Sequence, residues 1–88
     1  MIHTPDKYWR TKNLYLAAFL FGRGAIIVGL ELINGRTSYG FIDSLERQTW
    51  HDEFRSGTPM IDVRIYIRAL QILQEKRYEA MMQQHGEN

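Results

Sequence analysis

The stretch LYLAAFLFGRGAIIVGLELI, residues 14–33, decides the fold, because its twenty nearly all-apolar residues have the length of a membrane span. The unbroken apolar run covers only Leu14 to Phe21, after which Gly22-Arg23-Gly24 interrupts it and Glu31 stands near the far end. So short a run does not cross about 30 Å of hydrocarbon. The two halves also differ in kind. Thr11 is placed to cap a helix over Lys12 to Phe21, rich in Leu and Ala and apolar on every side, and Gly22 or Gly24 supplies the left-handed residue that ends it. Beyond the glycines the chain turns β-branched, Ala-Ile-Ile-Val-Gly-Leu-Glu-Leu-Ile, and runs into Asn34-Gly35, the strongest short signal for a hairpin.

A two-residue turn at Asn34-Gly35 sets the register: Ile33 opposes Arg36, Leu32 Thr37, Leu30 Tyr39, Gly29 Gly40, Val28 Phe41, and Ile27 Ile42. Opposed residues share a face of the sheet. Leu32, Leu30, Val28, Tyr39 and Phe41 then form a core face, while Glu31, Ser38 and Arg36 lie on the other with Gly29 and Gly40 facing each other. Paired glycines leave a notch there. It suits a β-bulge or a helix of the same chain, or else the close approach of a partner's backbone, ring or ligand.

Downstream, Asp43-Ser44-Leu45-Glu46 reads as a capping box with Asp43 as the cap. The helix that follows carries Trp50 and Phe54 one turn apart and stops near Gly57, with Thr58-Pro59 as a break. Asp62 opens a last helix to about Gln84, and Ile61 is placed to staple onto Tyr66. The expected fold is α+β, in the order α-β-β-α-α, with helices covering one face of a two-stranded hairpin that is marginal when uncovered. Residues 1–88 read as a single domain with an ordered core over about 11–82 and flexible ends.

In the last helix, Val63, Tyr66, Ile67, Leu70 and Leu73 form a stripe expected to face the core. Ile65, Ala69 and Ile72 form a second apolar set pointing away from it, beside Arg64, Arg68, Gln71, Glu75 and Glu79. A helix apolar over so much of its circumference is usually buried on two sides, which points to a homo-oligomer with a self-association surface of Ile65, Arg68, Ala69, Ile72, Glu75 and Glu79. Its arginines lie towards the helix N-terminus and its glutamates towards the C-terminus, an order that the helix dipole disfavours. Antiparallel pairing of two copies sets arginines opposite glutamates.

Composition narrows the function classes. At 44% hydrophobic and 24% charged the chain resembles an ordinary globular domain. The absence of cysteine removes disulfides, thiolate metal sites and cysteine nucleophiles, and suits a reducing cytoplasm. Met1 to Thr11 carries Asp6, Tyr8 and Trp9 and has no features of a secretory signal. A net charge of +1 argues against a general phosphate binder but leaves a local patch open. Arginine outnumbers lysine eight to three, so Arg36, Arg64 and Arg68, with Arg23, Arg47 and Arg55, are candidate anion contacts if they join Tyr8, Trp9 or Tyr39 in one surface.

No motif specifies a reaction. Gly22-Arg23-Gly24 leads from helix to strand, the reverse of a phosphate-cradling loop. Trp50-His51-Asp52-Glu53 offers successive helix residues that point in different directions, and His3 and His85 make no obvious cluster with His51. Ser38, Ser44 and Ser56 lack a local nucleophile signature. No cofactor or metal is expected.

The residues Thr11 to Leu20, the strand pair through Tyr39-Gly40-Phe41, Phe54-Arg55-Ser56-Gly57, and the helix Val63 to Lys76 with Tyr66, Ala69-Leu70 and Leu73 resemble an uncharacterised family of short bacterial and phage-associated proteins. The resemblance covers roughly residues 11 to 80. It implies a small bacterial or mobile-element domain and carries no activity onto any position. Taken with the residues, the expectation is a non-enzymatic, oligomeric binding or adaptor module; the alternative is a nucleic-acid or nucleotide binder using arginines and aromatic neighbours.

Overall fold

The computed structural model describes residues 8–86. Six elements follow one another: β1 (Tyr8–Thr11), α1 (Leu14–Arg23), β2 (Ile27–Ile33), β3 (Arg36–Ile42), α2 (Leu45–Ser56) and α3 (Val63–Gly86). The class is α+β, and the sheet has three strands in the order β1-β3-β2, both neighbours antiparallel to β3. The expected two-stranded hairpin is therefore corrected by one strand. Four residues, Tyr-Trp-Arg-Thr, are too few to show a strand's alternation, and pairing with β3 supplies what the local pattern does not. The outermost residues read above as flexible, 1–7 and 87–88, lie outside the described residues.

Thr11 ends β1, and its hydroxyl accepts from the Asn13 amide at 3.1 Å. Asn13 is the cap of α1, its side-chain oxygen accepting from the amides of Tyr15 and Leu16 at 3.0 and 3.2 Å. At the other end Gly24, with φ of 119°, stops the helix. Gly22 stays within it for a different reason: a Cβ there would stand 2.7 Å from Ile61 Cδ1, 3.3 Å from Ile65 Cγ2 and 3.7 Å from Ala69 Cβ. Its missing side chain is what lets α3 approach α1. Leu16 to Leu20 are buried consecutively, as a helix apolar on every side requires, and join Tyr39, Phe41, Ala69 and Leu73 in the core.

The hairpin keeps the expected register from Ile33↔Arg36 to Gly29↔Gly40 and then slips, so that Ile27, not Val28, opposes Phe41. Val28 is the extra residue of a β-bulge and is 52% exposed instead of lying on the core face. At α2 the cap moves by one: Ser44 accepts from the Arg47 amide at 3.0 Å, and the Asp43 carboxylate accepts from the Ser44 amide. Gly57, with φ of 86°, closes that helix.

The rotation of α3 also departs from expectation. Tyr66, Ala69, Leu70, Leu73 and Ala80 form its inner side, whereas Val63 and Ile67 are 68% and 48% exposed. Tyr66, Leu70 and Leu73 keep the inward side expected of them, while the close approach of the small pair Gly22 and Ala69 turns the helix so that Val63 and Ile67 are left outside. With 24 residues α3 is about 36 Å long. The radius of gyration, 13.9 Å against roughly 12 Å for a compact chain of this length, fits a helix whose far end extends beyond the core.

Candidate functional site

Among the residues proposed for self-association, Arg68, Glu75 and Glu79 are exposed, Ile65 is half-exposed and leans on Gly22, and Ile72 is partly buried. Ala69 is 3% exposed and belongs to the core, so it is unavailable to a partner. The exposed large apolar side chains of α3 are Val63, Ile65, Ile67, Tyr78, Met81 and Met82, and of these Val63, Ile67, Tyr78 and Met81 share one side of the helix. These residues recur at helical spacing with Leu70 and Gln74 between them, and a shallow groove of about 170 Å³ runs past Gln74, Arg77, Tyr78 and Met81. Arg64, Arg68, Glu75 and Glu79 follow one flank of this stripe. Each same-sign pair is spaced i, i+4, which costs a few tenths of a kcal/mol in an isolated helix. Among the described residues, only Arg64 of these four has an ion pair, with Asp62 at 3.8 Å.

The notch is partly occupied by its own chain. A Cβ on Gly40 would meet Val28 Cγ2 at 3.4 Å, the Gly29 carbonyl oxygen at 3.5 Å and Arg10 Cγ at 4.0 Å. Arg10 on β1 forms an ion pair with Glu31 on β2, and thus crosses the central strand where Gly40 has no side chain. Ser38 beside it is buried. Gly29 has open space around its missing Cβ and borders a groove of about 290 Å³ between β2 and α3, with Val28, Leu30, Lys76, Glu79 and Ala80. Arg36 is exposed on the outer face of β3.

The aromatic and cationic residues do not gather on one surface. Tyr39 is buried, and burial pushes its phenol above the ordinary value. Arg23 pairs with Glu53 at 2.8 Å, donates to the Met60 carbonyl at 2.9 Å, and lies over Phe19 and Trp50, tying α1 to α2 and the following loop. Arg47 is buried: it pairs with Asp43 at 2.8 Å, stacks 4.2 Å from the Trp9 ring centroid, and reaches His51 Nδ1 at 3.3 Å. These two arginines are interior clamps. Serines are similarly engaged, Ser44 in capping α2 and Ser56 in donating to the Glu53 carbonyl at 2.9 Å.

Burial lowers the His51 pKa from its ordinary value, and Arg47 and Arg55 lower it further against an opposing effect of Asp52. The unfolded chain therefore binds this proton more readily than the folded one. Stability should be fully present above about pH 6.5 and fall as pH drops through the depressed value, with a flatter profile for His51→Gln in urea titrations across that range. An unchanged slope in that variant would remove His51 as the cause.

Among the described residues no group of three metal-ligating side chains forms, and no helix is long and apolar enough to cross a membrane. Comparison with family models, curated proteins and solved structures finds no match.

Proposed function

We propose that the chain is a small non-enzymatic binding or adaptor module that works as an oligomer, with the exposed side of α3 as its self-association surface. The observation that carries this reading is the stripe Val63, Ile67, Tyr78 and Met81, left exposed beside a flank of separated arginines and glutamates. A domain of this size has little apolar surface to spare, so exposed apolar side chains at both ends of one side of its longest helix are best used by association. The outer side of the sheet, where Gly29, Glu31 and Arg36 are exposed while Ser38 and Gly40 are buried, remains for a further protein partner. The bacterial or phage setting follows only from the resemblance noted above.

The second reading, a nucleic-acid or nucleotide binder, is supported by the exposure of Arg36, Arg64 and Arg68. It is weakened by the inward engagement of Arg23, Arg47, Trp9 and Tyr39. One experiment separates them: light scattering of the purified chain at low and high salt, with nucleic-acid absorbance followed across the same peak. The oligomer reading expects a discrete assembly free of nucleic acid whose mass persists in salt. A peak carrying nucleic acid that is lost as salt rises would replace it with the second reading.

A further inference from the structure

We infer that the partner of α3 is a second copy of this chain, paired antiparallel about a two-fold axis that passes near Gln71 and Ile72. The inference rests on the self-association reading and adds its register. Two independent features of the same helix share this centre. Along the charged flank, an axis midway between Gln71 and Ile72 sets Arg64 opposite Glu79 and Arg68 opposite Glu75 at once. Along the apolar stripe, an axis within about one residue of that point sets Val63 near Met81 of the second copy, Ile67 near Tyr78 and Leu70 near Gln74.

The direction follows from helix geometry. In an antiparallel pair each flank meets the same flank of its partner, so the arginine half of one copy lies beside the glutamate half of the other. In a parallel pair the charged flank would instead face the side of the partner's stripe that carries Arg77, which answers Glu75 and Glu79 but leaves Arg64 and Arg68 with no acid on the helix opposite them. Antiparallel pairing also places each glutamate pair near the N-terminal half of a neighbouring helix, relieving the order that α3 alone disfavours. The four charges are exposed, so their substitution leaves the core intact.

The test is charge exchange in the full-length chain, with dimer dissociation measured by sedimentation equilibrium and helix content by circular dichroism. Arg68→Glu alone and Glu75→Arg alone should each weaken dimerisation roughly tenfold, by setting like charges opposite each other twice per dimer. The double variant Arg68→Glu/Glu75→Arg should return to within about threefold of the native chain. Mixing the two single variants should give a heterodimer in preference to either homodimer, a readout independent of the double variant's folding. If the native chain dimerises but neither the exchange nor the mixture restores affinity, the register is wrong while self-association stands. A native chain that stays monomeric overturns both.

Discussion

Replacing Arg47 with Met is expected to lower the free energy of unfolding by about 3 kcal/mol, the lower end of the cost of breaking a buried ion pair by removing one member. The guanidinium engages three groups from two elements: Asp43 before α2, His51 one turn later, and the Trp9 ring on β1. Methionine fills some of the space against Trp9 but leaves the Asp43 carboxylate with only the Ser44 amide among the described contacts. The cost stays near that lower end because Asp43 keeps some access to water. Arg47→Lys should fall between the two, retaining charge without the planar face that stacks on the ring. Urea unfolding measures all three, and a loss below about 1 kcal/mol for Met would mean that the cluster is incidental.

A second large effect is expected at Gly22. Leucine there should destabilise the fold by about 3 kcal/mol, because it must displace Ile65 and Ala69 as well as the flexible end of Ile61. Alanine should change stability by less than about 1 kcal/mol: its methyl also crowds Ile61 and Ile65, yet replacing a helical glycine recovers up to about 1 kcal/mol of propensity. The contrast is the informative result. If leucine is tolerated as well as alanine, the close approach of α1 and α3 at this point is not what orients α3.

That crossing explains which parts of the fold could be read beforehand. Helix α1, the Asn34-Gly35 hairpin, the stop at Gly57 and the long last helix follow from signals within a few residues, and those are legible without tertiary contacts. The third strand is not, because Tyr8–Thr11 becomes a strand through pairing with distant β3. Nor is the bulge, which moves Val28 off the core face for one residue's worth of slip. In α3 the pattern contains two apolar rows, and the packed face takes Tyr66, Leu70 and Leu73 from one and Ala69 from the other, a rotation that depends on where Gly22 arrives from another helix. The sequence signal that favours the observed choice is a small residue on each partner, Gly22 and Ala69, a weaker mark than the size of Val63 and Ile67.

The candidate surface follows the same division. The exposed charges Arg68, Glu75 and Glu79 are visible in the sequence, since charged residues mostly remain in water. Which apolar residues accompany them depends on the rotation of α3, which takes Ala69 into the core, partly buries Ile72 and leaves Val63, Ile67, Tyr78 and Met81 at the surface along with the half-exposed Ile65. Arg10 and its bridge to Glu31 across the glycine notch depend on β1 and have no local signal.

The most direct measurement is the solution mass of the native chain beside that of Ile67→Lys/Tyr78→Lys, at equal concentration and with circular dichroism spectra recorded for both. Both positions are exposed, so the variant should fold as the native chain does. The expected result is a native assembly at about twice the 10.4 kDa of one chain and a folded variant at the mass of a single chain. A native monomer, or a variant that keeps the native mass, would contradict α3 as the surface through which this protein associates.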